Sequence, residues 1–220
     1  MIILTDWSVY YSSGYDPMPP KKDLTEERKN QILDAAMKTF TEEGFHKARM
    51  SDIAETSGLS KGSLYWYFDS KDSLIINLLE RIFEPEIKDI QALLTDPRPI
   101  EERLETYVDR ISDDMVKMLR WMPLFYDFVA LAFRQEIVKN TISKYYQRHL
   151  DILISLIKQG LDSGELRADS DLEAAIAIGS LLEGTVILWF YDPDHIDIKH
   201  HVKSNLKLLL QGLKTPPNAQ

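Results

Sequence analysis

The sequence predicts an all-α protein with a small N-terminal three-helix unit of the helix-turn-helix type and a larger helical body. Apolar residues recur at helical spacing from Thr25 onward, and no stretch of any length shows the alternation of a β-strand. Gly, Pro and Asp residues, which begin or end helices, separate the apolar segments. A chain of 220 residues is long enough for a small domain joined to a larger one.

Composition and charge exclude several classes of protein. Hydrophobic residues make up 44% and charged residues 28% of the chain, an ordinary balance for a folded protein. The formal net charge of −9 opposes phosphate binding, so any contact with nucleic acid must come from a local cluster. The absence of cysteine excludes disulfides, thiolate zinc sites and cysteine nucleophiles, and it is compatible with a cytoplasmic protein.

No segment predicts an association with a membrane. The N-terminal apolar residues reach Asp6 almost at once and have no basic lead-in, unlike a signal peptide. The longest apolar run, at 174–190, is interrupted by Glu183 and falls short of the roughly 20 residues that cross a bilayer. We predict a buried helix there.

The first domain is predicted at residues 23–82, after a flexible tail at 1–22 that is rich in Tyr, Ser and Pro. Asp23 and Glu26 have the spacing of a capping box, so the first helix is expected to begin there and to end at Gly44.

Three further helices follow in short order. A helix of about two turns is predicted at 49–56, and a second short helix begins after the N-cap residue Ser60 and ends near Phe68. A longer helix then starts near residue 71, and Pro85 is expected to kink or break it.

The helical body is predicted at 83–213, followed by a flexible tail at 214–220. Pro123 is expected in the first turn of one helix, Gly164 at the end of another, and a capping box of Ser170 and Glu173 at the start of a third. The predicted helices lie at 101–121, 124–132, 135–161, 171–191 and 197–213.

The two short helices, with a turn containing Gly58 between them, have the form of a helix-turn-helix. Gly58 permits the positive φ of a sharp turn, and Ser60 caps the second helix so that its positive end is left to face a phosphate. Apolar residues would fix the angle between the helices: Ile53, Ala54, Leu59, Leu64 and Phe68.

The second short helix carries side chains that suit DNA. Lysine, hydroxyls and aromatic rings fit guanine edges, phosphates and thymine methyl groups, and a glycine lets the backbone approach closely. The candidate contacts on this helix are Lys61, Gly62, Ser63, Tyr65, Trp66 and Tyr67. Leu64 and Phe68 are expected in the core, and for Trp66 core and DNA remain equally open.

Residues 28–79 resemble the N-terminal domain of the TetR family of bacterial repressors. The residues that agree in order and spacing are Ile32-Leu33-Asp34-Ala35-Ala36, Phe40, Gly44-Phe45, Asp52-Ile53-Ala54, Gly58-Leu59-Ser60-Lys61-Gly62-Ser63-Leu64-Tyr65, Tyr67-Phe68, Lys71 and Leu74. The rest of the chain agrees with the family only in length and helical layout.

The resemblance implies a homodimer in which each second short helix enters the major groove of one half of a near-palindromic operator in double-stranded DNA. It implies that Lys61, Gly62, Tyr65 and Trp66 face bases or nearby phosphates, and that Tyr67 and Lys71 hold the DNA backbone. The chain departs from the family at Arg49, where Thr or Ser is usual. Arg49 can still reach a phosphate, but the capping hydroxyl is missing.

The charge of the motif is weaker than DNA binding favours. Within 44–72, four acidic residues balance four basic ones, which are Lys47, Arg49, Lys61 and Lys71. We therefore expect a moderate DNA affinity with a strong dependence on salt.

The resemblance also implies an effector site and a dimer interface in the body. An apolar effector would suit a cavity lined by aromatic and Met residues, here Met115, Leu119, Trp121, Phe125, Tyr126, Phe128, Tyr145 and His149. Two late helices would form a four-helix interface through Ile176, Gly179, Ser180, Glu183, Val186, Leu206, Leu209 and Leu210. Without the resemblance, packing inside one subunit explains these helices equally well.

The predicted function is a ligand-responsive transcriptional repressor, released from DNA by a small apolar effector. No catalytic motif is present, so an enzyme is not predicted, and neither is a cofactor. The spacing of His195, His200 and His201 does not match a metal site. The alternative that remains is a helical small-molecule-binding protein that does not bind DNA.

Overall fold

A computed structural model describes residues 21–213, and over this range the chain is helical and contains no strand. The α-helices are α1 Lys21–Glu43, α2 Met50–Ser57, α3 Lys61–Tyr67, α4 Lys71–Gln91, α5 Ile100–Met118, α6 Met122–Ala132, α7 Glu136–Ser163, α8 Asp171–Tyr191 and α9 Ile198–Leu213. Short 3₁₀ turns lie at Ala92–Thr95 and Leu119–Trp121. The predicted all-α class, with a helix-turn-helix unit before a larger body, is confirmed. The predicted tails at 1–20 and 214–220 lie outside the described residues.

The first helix begins earlier than the sequence indicated. α1 starts at Lys21, so the last two residues of the predicted tail are helical and Asp23 lies inside the first turn. The predicted capping box of Asp23 and Glu26 therefore does not begin the helix. The end of the helix is as predicted, because Gly44 has a φ of +79° and its N–H donates to the carbonyl of Phe40.

The N-terminal unit is formed by α1, α2 and α3 around one apolar centre. Ile32, Phe40, Ile53 and Leu64 are each almost completely buried there. The amide of Gln31 donates to the carbonyl of Ser57 at 2.6 Å and ties α1 to the end of α2. These contacts hold the short helices at a fixed angle, since helices of seven and eight residues are not stable alone.

Pro85 does not break α4. The helix runs from Lys71 to Gln91 with Pro85 on its exposed side, so the prediction of a break is wrong. A proline inside a helix costs about 3 kcal/mol or more. Here the burial of Leu78, Ile87 and Ile90 along the same helix offsets that cost. Because α4 crosses the predicted boundary at 82/83, one continuous helix joins the two units.

The body is built from α5, α7, α8 and α9 with α4 and α6 beside them. Fully buried residues of these helices form one apolar core that is continuous with the N-terminal unit. On α6, Phe128 packs edge-on against Phe40 and Phe45, with ring centroids 6.4 and 6.2 Å apart. Two ion pairs add to this junction: Arg81 with Asp34 at 2.8 Å, and Arg148 with Glu84.

α8 is buried on one face only. By length and composition it could cross a membrane, but this is weak evidence, since core helices of soluble proteins also pass that test. One side of α8 packs against α7 and α9, while Leu172, Ile176, Leu188 and Phe190 remain exposed on the other. The predicted buried helix is thus buried on one face, and an apolar surface is left open on the other.

Candidate nucleic-acid interface

The turn between α2 and α3 has the predicted geometry. Gly58 adopts a φ of +68°, and the N–H of Leu59 reaches back to the carbonyl of Ala54 at 3.0 Å. Ser60 caps α3 by accepting from the N–H of Ser63 at 3.1 Å, and the two hydroxyls are 2.8 Å apart. The start of α3 is thus fixed by local bonds that do not depend on a bound molecule.

α3 divides sharply into a core face and a solvent face. Leu64 is completely buried, and Phe68, just after the helix, is nearly so. The remaining side chains point outward to different degrees: Lys61, Gly62, Ser63, Tyr65 and Trp66 are exposed and Tyr67 is half-buried.

Trp66 is 73% exposed, so its side chain lies outside the core. Its ring meets that of Tyr67 edge-on at 4.6 Å, while the ammonium of Lys61 lies 5.9 Å from the centre of the Tyr65 ring. The outward face therefore presents one cation, three hydroxyls and three aromatic rings on a helix of seven residues.

Gly62 is not needed for internal packing. A Cβ placed there would meet only the Ser60 hydroxyl, at 4.0 Å. The position also has an ordinary helical backbone, because the glycines with positive φ among the described residues are Gly44, Gly58 and Gly164. The fold would accept alanine at 62, so no contact within the subunit requires a glycine there.

An open groove of about 630 Å³ lies between the α1–α2 loop and the start of α4. The residues that line it are His46, Lys47, Ala48, Arg49, Met50 and Lys71. It thus brings together three of the four basic residues counted in the motif. His46 and Lys47 were not predicted as candidates, although their place in a loop ahead of the motif was a usable signal.

Lys71 has a role that the sequence did not predict. Its ammonium donates to the carbonyls of Phe45 at 2.8 Å and Ala48 at 3.0 Å, and it lies 4.5 Å from the centre of the Phe45 ring. Burial lowers its pKa. Lys71 therefore holds the loop that carries Arg49, and its contact with a phosphate stays a prediction.

Arg49 is the N-cap residue of α2 and has no hydroxyl to offer. Its backbone N–H donates to the carboxylate of Asp52 at 2.9 Å, which supplies half of a capping arrangement. The side chain of Arg49 is exposed at the groove. The missing capping hydroxyl, noted from the sequence, is thus confirmed.

The predicted effector residues do not form one site. Phe128 belongs to the junction with the N-terminal unit, so its assignment to the pocket is wrong. Leu119 lines a shallow groove of about 370 Å³ with Trp189 and the α8–α9 loop. Tyr145, Phe125 and His149 surround the ring of Phe83 at centroid distances of 5.2, 6.2 and 6.4 Å. Met115, Trp121 and Tyr126 are half-buried on α5, the 3₁₀ turn and α6.

A buried polar cluster lies next to the ring of Phe83, and the sequence did not predict its acidic member. His149 Nε2 is 3.8 Å from Glu86 Oε2, and His149 Nδ1 is 3.5 Å from the hydroxyl of Tyr107. Burial, with a smaller contribution from Asp114, raises the pKa of Glu86 to about 7. Burial and then Arg148 lower the pKa of His149 to about 4. Burial, with a smaller contribution from Glu86, also raises the pKa of Tyr107.

The predicted interface residues divide between the core and the surface. Val186, Leu206 and Leu210 are buried inside the subunit, so their assignment to a surface is wrong. Ile176, Ser180 and Glu183 are exposed on α8, while Gly179 and Leu209 are half-buried. Burial raises the pKa of the Glu183 carboxyl although the residue borders solvent.

The exposed face of α8 is wider than predicted. It also contains Leu172, Gly184, Ile187 and Tyr191, and α9 adds Leu208, which is 64% exposed. A Cβ at Gly179 or Gly184 would meet nothing within 4 Å, so no contact inside the subunit requires these small residues. Within 21–213, no three His or acidic side chains are grouped as metal ligands would be.

Comparison with known proteins assigns the family. The profile of the bacterial regulatory proteins of the tetR family matches residues 32–78, and that of the BetI-type transcriptional repressor C-terminal domain matches residues 99–211. The fatty acid metabolism regulator protein of Bacillus subtilis is 27% identical over 189 residues, covering 83% of this chain and 94% of that protein.

Solved structures show the same fold. The transcriptional regulator FadR from Bacillus subtilis, in complex with stearoyl-CoA, superposes with a TM-score of 0.69 at 23% identity, covering 83% of this chain and 98% of that one. A transcriptional regulator from Saccharomonospora viridis, in complex with choline, gives a TM-score of 0.75 at 18% identity, covering 87% and 100%.

The chain belongs to the TetR family of transcriptional regulators. These relatives are regulators and not enzymes.

Proposed function

We propose that this regulator is a homodimeric, cytoplasmic repressor that binds a near-palindromic operator through α3 and is released by a small effector. The observation that carries the proposal is the outward face of α3. Its side chains are those that recognise DNA, and its glycine at position 62 has no role in internal packing. Lys61, Tyr65 and Trp66 are the proposed base-reading residues.

Contacts with the DNA backbone are proposed for the groove between the α1–α2 loop and the start of α4. Arg49 and Lys47 lie on its rim, and Lys71 fixes the loop that carries them. Ser60, Ser63 and Tyr67 have hydroxyls at or near this surface and would add phosphate bonds. Because basic residues only balance acidic ones in this region, affinity should fall steeply as salt rises.

The homodimer is proposed on the open apolar face of α8 together with Leu208 of α9. A contiguous exposed apolar surface on a soluble protein is typical of an interaction site. The small residues Gly179, Ser180 and Gly184 would let two α8 helices approach closely across a twofold axis. The proposed dimer would place two α3 helices on one side of the assembly, as a palindromic site requires.

Effector binding is proposed in the helical body around Phe83 of α4, whose ring lies 6.2 Å from that of Phe125 on α6 and 5.2 Å from that of Tyr145 on α7. The ligands printed for the two structural neighbours, stearoyl-CoA and choline, differ in charge and size. Family membership alone therefore does not give the effector class. An effector that shifts α4 would change the separation of the two α3 helices and so weaken binding to both half-sites.

The test is an electrophoretic mobility shift with the DNA just upstream of the gene. We expect a saturable shift that weakens with salt and is lost in the double variant Lys61→Ala/Tyr65→Ala. The matched control is Lys38→Ala/Tyr146→Ala, which removes the same side chains from exposed positions on α1 and α7 and should bind normally. If the α3 variant binds as the wild type does, the proposed interface is wrong.

One observation keeps the alternative of a small-molecule-binding protein in view. The motif is locally neutral and the chain carries a net charge of −9, both unfavourable for DNA binding. That alternative predicts that no fragment from the neighbourhood of the gene shifts, while a hydrophobic ligand still binds.

A further inference from the structure

Glu86 is a carboxylate in an unusual place. It lies on α4 with only 11% of its side chain exposed, beside the aromatic rings that surround Phe83. Buried carboxylates are costly unless a cation or several hydrogen-bond donors compensate them. The groups around Glu86 therefore decide whether its buried charge is compensated.

Two cations of the surrounding helices are paired with other carboxylates. Arg148 on α7 pairs with Glu84, with a second contact between Nη2 and Oε2 at 3.2 Å. Lys117 on α5 pairs with Asp114 at 2.6 Å. The imidazole of His149 is the nearest basic group in the cluster, and it is held neutral because its pKa is lowered to about 4. The closest basic group to Glu86 in the cluster is thus uncharged, and the nearby cation Lys117 is paired with Asp114.

Aromatic rings complete the surroundings. Phe83 stands between Phe125, Tyr145 and His149, with ring centroids 5.2 to 6.4 Å away. Phe83 and Phe125 are only partly buried, as is Met115 on α5. Part of their apolar surface is therefore available for contact with another molecule. The faces of such rings attract cations, and they do so most strongly where water is excluded.

We propose that the effector is an organic cation with an apolar body, whose ammonium group binds against Glu86 and the ring of Phe83, with the apolar part along Phe125 and Met115. This inference rests on the proposed function, in which an effector binds in the helical body.

The site is on the helix that joins the two units. Glu86 and Glu84 belong to α4, whose first turn carries Lys71 and with it the loop at the proposed DNA groove. A cation drawn to Glu86 would act on the same helix that positions the DNA-contacting loop. The helix α4 would thus both bind the effector and position the loop that contacts DNA.

The test measures binding of two probes of the same shape without DNA present. Benzyltrimethylammonium carries a permanent positive charge, and neopentylbenzene is its neutral counterpart. We expect the wild type to bind the cation at least about tenfold more tightly than the neutral probe by calorimetry. In Glu86→Gln that preference should disappear, whereas in Glu102→Gln, an exposed position on α5, it should remain.

A second measurement uses the wild type alone. Since the pKa of Glu86 is raised to about 7, the affinity for benzyltrimethylammonium should rise about tenfold from about pH 6 to about pH 8. The charged and titratable groups that face the cluster are Tyr107, Asp114 and Lys117 from α5, Arg148 and His149 from α7, and Glu84 and Lys88 from α4. Because the probe keeps its charge at every pH, any change of its affinity with pH must come from the protein.

The outcomes separate cleanly. Equal binding of the two probes, no binding of either at millimolar concentration, or a preference that survives in Glu86→Gln would each overturn the inference. The DNA shift described above is measured without any probe, so failure of the repressor proposal would appear there and failure of the cation site would appear here.

Discussion

Position 62 on the outward helix carries a glycine for which the subunit has no use. Alanine would fit, because its Cβ would approach only the Ser60 hydroxyl, and at a distance of ordinary contact. Alanine also favours a helix over glycine by about 1 kcal/mol. A glycine at 62 is what the proposed close approach of DNA to this helix would favour.

Gly62→Ala should move stability and DNA binding in opposite directions. We expect the free energy of unfolding to rise by up to about 1 kcal/mol, since helix propensity improves and no clash is created. Affinity for operator DNA should fall, because a methyl group would stand between the backbone and the groove. Urea unfolding and fluorescence anisotropy measure the two effects. A variant that binds DNA as tightly as the wild type would show that 62 is not at the interface.

Lys71 shows how a residue can serve the interface without touching it. In Lys71→Met the hydrogen bonds to the carbonyls of Phe45 and Ala48 are lost while much of the apolar chain is kept. The expected loss of stability is about 1–3 kcal/mol, because buried carbonyls lose a charged donor. Lys38→Met, an exposed lysine on α1, is the control and should change stability little. Unchanged stability in Lys71→Met would contradict the loop-holding role.

Glu86 and His149 give the stability of the protein an unusual dependence on pH. The raised pKa of Glu86 means that the unfolded chain loses this proton first, so its contribution falls as pH rises from about 4.5 to about 7. The lowered pKa of His149 acts in the opposite sense, adding stability as pH rises from about 4 to about 6.5. Between these limits the two nearly cancel.

Glu86→Gln should expose this cancellation. At about pH 5 the variant should be about as stable as the wild type, and above about pH 7 it should be more stable by up to about 3 kcal/mol. Thermal or urea unfolding across this range gives the difference directly. A variant less stable than the wild type at neutral pH would mean that Glu86 is compensated inside the subunit, which would also remove the ground for a cationic effector.

At the scale of helices, the sequence carried most of the local information. Ser60, Ser170, Gly58 and Gly164 fixed helix ends to within a residue or two, because caps and positive-φ turns depend on neighbours in the chain. Pro85 misled for the same reason. Proline does disfavour the interior of a helix, but the burial of α4 residues before and after Pro85 outweighed that cost.

The functional clusters depended on contacts that a local pattern does not reveal. Lys71 bonds to a loop some 25 residues away, and Glu86 meets His149 across two helices. The sequence predicts the apolar stripes on α8 and α9. Periodicity does not show, however, whether such a stripe packs inside the subunit or against a partner subunit. Val186, Leu206 and Leu210 were thus placed at an interface although they lie in the core.

Leu208→Glu tests the open face of α8 and α9. Leu208 makes little contact within its own subunit, so the substitution should leave each subunit folded while placing charge in the apolar interface. We expect a dimer to become a monomer by sedimentation and the DNA shift to weaken strongly. Phe133→Glu adds the same charge at a residue that is 87% exposed at the end of α6, and should remain dimeric. A dimer that survives Leu208→Glu would require another interface.

The whole molecule is proposed to act as a symmetric dimer. One continuous helix joins the DNA-contacting unit to the body, and one apolar face is available to pair two bodies. Two α3 helices would then read two half-sites, and an effector would act through α4 on both. Because the chain carries a net charge of −9 and the motif is locally neutral, binding would depend on the few basic residues of the motif.

Footprinting of the upstream DNA tests this claim most directly. A dimer that inserts two α3 helices should protect two half-sites of inverted sequence, centred about 34–36 Å apart or a multiple of that distance on the same side of the duplex. Leu208→Glu should lose both together, and Lys61→Ala/Tyr65→Ala should lose them without losing the dimer. A single asymmetric footprint, or protection that survives in the α3 variant, would contradict the account.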